Sequence, residues 1–126
     1  MPRDHRKLKV FEMSDNLILD IYNATRHFPK EEIYGLTSQI RRAAVSVAAN
    51  IVEGSARNSL RDYLHYLNIA YASLKETGYL ISLSRRLGYL SEVEYDKMND
   101  QFDNLSRALN ALIGSLNRSS KKESGK

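Results

Sequence analysis

The chain has 126 residues, of which 42% are hydrophobic and 27% are charged; it contains no cysteine and has a formal net charge of +4. This composition is typical of one folded domain, and it excludes disulfides, thiolate nucleophiles and cysteine-based zinc sites. No apolar run approaches the roughly 20 residues of a membrane-spanning helix, and the first residues lack the apolar core of a secretory signal. We therefore expect a cytoplasmic protein.

The first predicted helix covers about residues 8–25, where apolar residues recur at helical spacing. Pro29 ends this segment, because the residue before a proline avoids the helical region. The acidic residues Glu31 and Glu32 favour a short helical turn after the proline, since acids stabilise the start of a helix. Gly35 ends that turn.

The second predicted helix, from Thr37 to Gly54, is the element around which the chain is organised. Thr37 is suited to cap its start, and Gly54 is suited to end it in a left-handed conformation. Its apolar side chains cover an arc of roughly 160°, which is wider than one core stripe requires. Several alanines on the same helix would let neighbouring helices approach closely. This breadth predicts several packing partners and indicates assembly.

The third predicted helix begins after Ser59 and ends before Gly88, and it would be about 42 Å long. It carries two apolar stripes on roughly opposite sides. One stripe can line the core of the bundle. The other needs a partner, because contiguous exposed apolar surface is unusual on a monomer. The second stripe is the candidate oligomer interface and consists of Tyr66, Ile69, Leu80, Leu83 and Leu87.

The fourth predicted helix follows a capping box formed by Ser91 and Glu94. Apolar residues then alternate steps of three and four from Tyr95 to Leu116, which is the spacing of left-handed helix packing. No alternating strand pattern is present in the sequence, and the connections are short. We therefore predict an all-α fold, an elongated up-down antiparallel four-helix bundle.

The positive charge is concentrated at the two ends of the chain. Residues 1–9 contribute +3 and residues 117–126 contribute +3, which leaves −2 for the body between them. Such ends can bind phosphate groups or simply remain solvated, and both interpretations stay open. The predicted organisation is a basic N-terminal arm (1–7), a four-helix bundle (8–116) and a basic disordered tail (117–126).

Three segments carry a family resemblance: FPKEEIYGLTSQIRRAAVSVAANIVEGSAR, SLRDYLHYLNIAYASLKETGYL and LGYLSEVEY. Over about residues 8–116 the chain resembles the bacterial 23S rRNA intervening-sequence proteins, also called the S23 ribosomal protein family. It is also similar to the accessory proteins of diversity-generating retroelements, basic pentamers that engage a reverse transcriptase and nucleic acid. The resemblance implies a four-helix protomer, a homopentameric ring and no known catalysis. Many relatives carry proline where this chain has Ala48, so a helix kink there is not implied.

Polar side chains of the second helix and the following loop form a candidate partner or nucleic-acid surface. Arg41 projects into the apolar arc, where it either pairs at the rim or is presented to a subunit seam or a phosphate. Asn50 can join Ser46 and Arg42 in a hydrogen-bonded ladder, and Glu53 is expected to meet an arginine. The complete candidate surface consists of Arg41, Arg42, Asn50, Glu53, Arg57 and Arg61.

Tyr63 and Tyr66 admit two interpretations. They can supply stacking surfaces to a single-stranded nucleic acid, or they can be core and interface residues. Arg57, Arg61 and the basic ends would form one basic rim if the loop after Gly54 lies near a terminus.

The sequence offers little for an enzyme. Asp62 and His65 have the spacing of half a metal site, but the Glu-x-x-His repeats of a di-iron bundle are missing. The chain shows neither a Ser/His/Asp order nor a glycine-rich phosphate loop. We expect no catalytic residue, no metal and no cofactor. A metal-dependent enzyme centred on Asp62 and His65 is the third-ranked hypothesis.

The leading functional hypothesis is a non-enzymatic homo-oligomeric scaffold or adaptor that presents a polar or basic surface to a macromolecular partner. The expected partners are further copies of the chain, in a pentamer, and an RNA or a nucleic-acid-associated protein. The alternative is direct binding of RNA or single-stranded nucleic acid. These two hypotheses are compatible with each other.

Overall fold

The computed structural model describes residues 3–5 and 8–124 of the chain. Within these ranges the backbone is helical and contains no strand. None of the described helices is long and apolar enough to cross a membrane. The four helices are α1 (Lys9–Thr25), α2 (Leu36–Ser55), α3 (Leu60–Arg86) and α4 (Glu92–Ser124), with a 3-10 turn over Lys30–Glu32.

Each helix packs against two others, in the cyclic order α1, α2, α3, α4. The backbones of the diagonal pairs α1–α3 and α2–α4 do not approach closely in the described ranges. Helices α1 and α4 run antiparallel, as shown by the ion pair of 3.4 Å between Asp20 near the end of α1 and Lys97 near the start of α4. The other neighbours are consecutive in the chain and are joined by short connections, which makes them antiparallel as well. The predicted all-α up-down four-helix bundle is confirmed. In this arrangement α1 and α3 lie on opposite sides of the bundle.

The core runs along the axis of the bundle and receives side chains from all four helices. On each helix the buried residues recur at intervals of three and four, as the amphipathic pattern requires. Burying each such side chain stabilises the fold by about 1.5–3 kcal/mol. The largest side chains that are fully buried are Leu17, Ile21, Ile40, Val47, Ile51, Tyr63, Leu67, Leu74, Thr77, Ile81, Leu105 and Leu109.

Three predicted helix ends are confirmed by specific contacts. The Ser59 hydroxyl accepts a hydrogen bond of 3.0 Å from the Asp62 N–H at the start of α3. Gly88 has φ 80° just beyond the end of α3. The capping box of α4 is complete, since Ser91 N–H donates to Glu94 Oε1 at 2.9 Å and Glu94 N–H donates to Ser91 Oγ at 3.1 Å.

The roles predicted for Thr37 and Gly54 at the ends of α2 are wrong. Gly35 occupies the cap position, and Thr37 lies inside the first turn and is buried. Gly54 does not have a positive φ; among the described residues only Gly88 does. Gly54 is instead a close-approach residue, because a Cβ placed there would lie 2.9 Å from Cβ of Tyr66 and 3.3 Å from the Tyr63 carbonyl oxygen. The absence of a side chain at Gly54 lets α2 and α3 pack closely.

This contact predicts that Gly54→Ala destabilises the bundle by about 1–3 kcal/mol, because over-packing outweighs the better helix propensity of alanine. Gly114→Ala is the matched control. A Cβ at Gly114 has only the end of the Arg118 side chain nearby, at 3.5 Å. The control should be neutral or stabilising by up to about 1 kcal/mol. Urea unfolding followed by circular dichroism measures both variants, and equal stability of the two would contradict the prediction.

The predicted boundaries at the chain ends differ from the structure. Helix α4 continues through Ser124, beyond the boundary predicted at Leu116, because no glycine or proline lies between Leu116 and Gly125. The segment 117–124 is therefore helical, and the prediction of a disordered tail is wrong for it. In the predicted basic arm, Arg6 and Lys7 lie outside the described residues.

Candidate partner and nucleic-acid surfaces

The N-terminal segment packs against the loop between α2 and α3. The backbone N–H of Arg3 donates a hydrogen bond of 2.7 Å to the Ser55 carbonyl oxygen. The Arg3 guanidinium donates to the Arg57 carbonyl oxygen at 3.3 Å and lies 4.1 Å from the centroid of the Tyr63 ring. The loop after Gly54 therefore does lie near a terminus, which was the condition for a single basic rim.

Cations cluster at this end of the bundle, and six of those in the described ranges define what we call the basic end. Arg3 and the α2–α3 loop form one part of it, and the start of α3 adds the exposed Arg61. The antiparallel topology brings the last turns of α4 to the same end. The residues that define the basic end are Arg3, Arg57, Arg61, Arg118, Lys121 and Lys122.

Arg57 is held by several groups at once. Its Nη2 donates to a Glu53 carboxylate oxygen and, at 3.1 Å, to the hydroxyl of Tyr66. Its guanidinium carbon lies 4.8 Å from the centroid of the Tyr66 ring. The prediction that Glu53 meets an arginine is confirmed within one chain. Both partners are partly exposed, so this ion pair contributes little to stability.

The two tyrosines at the basic end are covered by the arginines. The Tyr63 side chain is only 1% exposed, so it is a core residue and cannot stack on a base. Burial raises the pKa of its hydroxyl, and the charge of Arg3 opposes that rise. Tyr66 is half-buried beneath Arg57.

Arg41 projects towards α1 and away from the rest of the candidate surface. Its Nε donates to Thr25 Oγ1 at 2.8 Å, and its Nη2 donates to the Tyr22 carbonyl oxygen at 3.4 Å. Its guanidinium also lies 4.5 Å from the centroid of the Tyr22 ring. The structure therefore separates Arg41 from Arg42, which lies on the other side of α2.

A polar groove of about 540 Å³ lies on the surface between α2 and α3, and it is lined by Arg42 and Glu76 among others. Beneath it, Ser46 Oγ lies 2.9 Å from Ser73 Oγ, and Asn50 Nδ2 donates to Ser46 Oγ at 3.0 Å. Part of the predicted ladder is therefore present. Arg42 is not joined to it and makes no hydrogen bond to a residue in the described ranges.

Large apolar side chains are exposed on several elements, and two groups of them lie on the diagonal helices α1 and α3. On the outer side of α1, Leu19 is 57% exposed and Tyr22 is also exposed; we call this the α1 surface. On the outer side of α3, Ile69 is 37% exposed and Leu87 is 49% exposed; we call this the α3 surface. The two surfaces are separated by the width of the bundle.

The predicted oligomer interface needs one correction. Leu80 is 4% exposed and belongs to the core, so its assignment to the interface was wrong. Leu80 lies beside Ala43 in the wall of the groove between α2 and α3, and this contact with α2 buries it. Leu83 and Tyr66 are half-buried, and Leu83 packs against the core cluster. Ile69 and Leu87 are the members of the predicted stripe that remain exposed.

Comparison with known proteins establishes the family. The sequence profile of the 23S rRNA-intervening sequence proteins matches residues 6–111. The chain belongs to this family. A crystal structure of a protein of unknown function from the S23 ribosomal protein family of Bacteroides thetaiotaomicron is similar, with a TM-score of 0.76 and 26% identity. That similarity covers 83% of this chain and 95% of the other. No curated protein matches the chain.

Membership in the 23S rRNA-intervening sequence protein family confirms the recognised resemblance, while the function of the family is unknown. The similarity to retroelement accessory proteins stays a prediction. In the described part of the chain, no group of three or more His, Asp or Glu side chains could hold a metal ion. The ring of His65 instead lies against the ring of Tyr66, with 5.2 Å between their centroids.

One link in the family's motif region was missed by the sequence analysis. Glu32 accepts a hydrogen bond of 3.2 Å from the Leu36 N–H at the start of α2, and another of 3.0 Å from the hydroxyl of Tyr89. The first bond replaces the cap that was expected from Thr37. The second joins the α1–α2 connection to the α3–α4 connection. The hydrogen bond to Glu32 raises the pKa of the Tyr89 hydroxyl.

The raised pKa values of Tyr63 and Tyr89 predict a loss of stability at alkaline pH. A pKa that is higher in the folded state contributes stability that is complete below the ordinary tyrosine value of about 10 and is lost as the pH rises further. Tyr89→Phe should therefore flatten the decline in unfolding free energy above pH 10. Urea unfolding between pH 8 and about pH 11 measures the effect.

Tyr34→Phe is the control for this prediction, since the Tyr34 side chain is exposed on the connection and also loses one hydroxyl. If both variants follow the same alkaline curve as the original chain, the contribution of Tyr89 is refuted.

Proposed function

We propose that this chain is a non-enzymatic scaffold that assembles into a closed ring of identical subunits and presents its basic end to a macromolecular partner. The observation that carries the proposal is the pair of exposed apolar surfaces on opposite sides of the bundle, centred on Leu19 of α1 and on Ile69 and Leu87 of α3. Exposed apolar surface on one subunit is removed from water when a second copy covers it.

The placement of the two surfaces favours a ring over a two-fold dimer. A two-fold dimer uses the same surface on both subunits, whereas a head-to-tail contact uses two different surfaces and closes into a ring when the rotation permits. Here α1 and α3 are diagonal helices of the bundle, and their described backbones do not approach closely. The α1 surface of one copy would cover the α3 surface of the next. The family resemblance implies five subunits.

The oligomeric state tests this proposal directly. Multi-angle light scattering on the purified chain at micromolar concentration should give a mass that is a whole multiple of 14.4 kDa, with five as the expected multiple. A stable monomer would eliminate the ring, and a dimer would eliminate the head-to-tail contact.

A second candidate function is direct binding of RNA or single-stranded nucleic acid at the basic end. The supporting observation is that Arg3, Arg57 and Arg61 lie together beside the α2–α3 loop, with three cations of α4 at the same end. Clustered cations bind the phosphate backbone without regard to sequence. A closed ring would place several basic ends on one rim and multiply their effect.

A further inference from the structure

A small pocket lies at the junction of α1 and α2, at the opposite end of the bundle from the basic end. It has a volume of about 250 Å³ and is bounded by the last turn of α1, the following connection and the first turns of α2. We call it the junction pocket. Its polar lining consists of Thr25, Arg26, Lys30, Thr37 and Arg41.

The charge of the junction pocket is strongly positive. Three of its lining residues are cations, and none is acidic. Arg26, Lys30 and Arg41 form no ion pair with any carboxylate in the described ranges. The nearest acids in sequence, Glu31 and Glu32, do not line the pocket, and the carboxylate of Glu32 is already hydrogen-bonded to Leu36 and Tyr89.

Arg41 is the cation for which this lack of a partner matters most, because its side chain is only partly exposed. A charge withdrawn from water is costly unless an opposite charge compensates it. Its hydrogen bonds to Thr25 and to the Tyr22 carbonyl oxygen and its contact with the Tyr22 ring all involve neutral groups, so no described negative charge lies opposite it. An anion in the pocket would supply the missing charge.

Thr37 gives an independent indication of a ligand. The residue is 5% exposed, and its hydroxyl makes no hydrogen bond to any described group. Thr25, on the other wall, is satisfied: its hydroxyl donates to the Ile21 carbonyl oxygen at 2.7 Å and accepts from Arg41. The Thr37 oxygen is not among the enclosed polar atoms that lack a partner, so it opens onto the pocket, where a ligand oxygen can accept a hydrogen bond from it.

The first turn of α2 also borders the junction pocket. Thr37 is the second residue of this 20-residue helix, whose amino end carries partial positive charge. Because the Leu36 N–H at this end already donates to the Glu32 carboxylate, the three cations and the free Thr37 hydroxyl are the groups that favour an anion with several acceptor oxygens.

We propose that the junction pocket binds a dianionic phosphate group, either inorganic phosphate or the terminal phosphate of a monoester. Three cations exceed the single charge of a phosphodiester, and they match the charge of about −2 that a monoester carries near neutral pH. Arg26, Lys30 and Arg41 compensate the charge, and the Thr37 hydroxyl donates to one phosphate oxygen. This site is separate from the ring surfaces and from the basic end, so its test is independent of the proposed scaffold function.

The test measures thermal unfolding and ³¹P NMR line broadening of the purified chain. The probes are inorganic phosphate, methyl phosphate and dimethyl phosphate, with sodium chloride at matched ionic strength as the reference. Inorganic phosphate and methyl phosphate should raise the unfolding temperature with saturation, since a ligand that binds only the folded state stabilises it. Dimethyl phosphate should act like the chloride reference.

Two variants test the assigned residues. Thr37→Val keeps the shape of the side chain and should weaken phosphate binding about tenfold, because a hydrogen bond to a charged group is lost. Arg26→Gln changes an exposed residue that no folding contact requires, and it should also weaken binding. Arg86→Gln is the control, since it removes a cation at the same end of the bundle outside the pocket.

The proposal is overturned if phosphate acts no more strongly than chloride, or if Thr37→Val and Arg26→Gln bind phosphate as well as Arg86→Gln does. Equal binding of dimethyl phosphate and methyl phosphate would overturn the assignment to a dianion.

Discussion

The double variant Ile69→Glu/Leu87→Glu should be a folded monomer, whereas the original chain should be a ring. Each glutamate places a charge on the α3 surface, where the covering copy would otherwise bury an exposed apolar side chain. Burying an uncompensated charge costs several kcal/mol, which exceeds what one contact in the ring can supply. Sedimentation velocity measures the mass, and circular dichroism checks that the helices persist.

Leu19→Glu, on the α1 surface, should have the same effect because a head-to-tail contact requires both surfaces. Val93→Glu is the matched control, since Val93 is exposed at the start of α4 and belongs to neither surface. A mixture of the two monomeric variants should form heterodimers, because each retains the surface that the other has lost. A mixture that stays monomeric, or a control that dissociates as well, would contradict the head-to-tail ring.

Binding of single-stranded RNA should fall steeply with salt if the basic end is a nucleic-acid surface. Six phosphate contacts per subunit give a slope of about −4 in a plot of log K against log salt, so raising salt from 50 to 200 mM lowers affinity by about 300-fold. Fluorescence anisotropy with a labelled oligonucleotide measures this slope. Replacing Arg61, Lys121 and Lys122 by glutamine should reduce the slope by about 2.

The control for this prediction replaces Lys75, Arg86 and Arg107 by glutamine, which removes the same charge from exposed positions away from the basic end. The control should retain the slope of the original chain. Equal loss in both triple variants would mean that only net charge matters. An absence of binding at 50 mM salt would eliminate the nucleic-acid function and leave the ring proposal intact.

The helices and their neighbours followed from the sequence because their signals are local. Ser59 with Asp62, Gly88, and Ser91 with Glu94 act within one turn of the chain, and the structure reproduces all three. Contacts between distant positions have no such signal. Glu32 and Tyr89 are 57 residues apart, and nothing in their spacing indicates that they share a hydrogen bond.

Burial was less predictable than helicity, because it also depends on contacts between distant positions of the chain. Leu80 was placed on the outer stripe of α3 by its helical angle, but it lies beside Ala43 of α2 and is buried in the core. Thr37 was interpreted as a cap because threonine is common there, yet Gly35 and the carboxylate of Glu32 fill that role. In the same way, the junction pocket depends on where the connection folds back, which residue types alone do not determine.

Anchoring of the chain's beginning has a practical consequence. Because the Arg3 backbone is hydrogen-bonded to Ser55 and its guanidinium covers Tyr63, any sequence fused ahead of it is delivered onto the α2–α3 loop. A polyhistidine purification tag fused there would start close to Arg57 and Arg61. It would change the measured RNA affinity, either by covering these cations or by binding RNA itself. Protein carrying the tag on the other terminus, or with the leading tag removed by a protease, separates the two contributions.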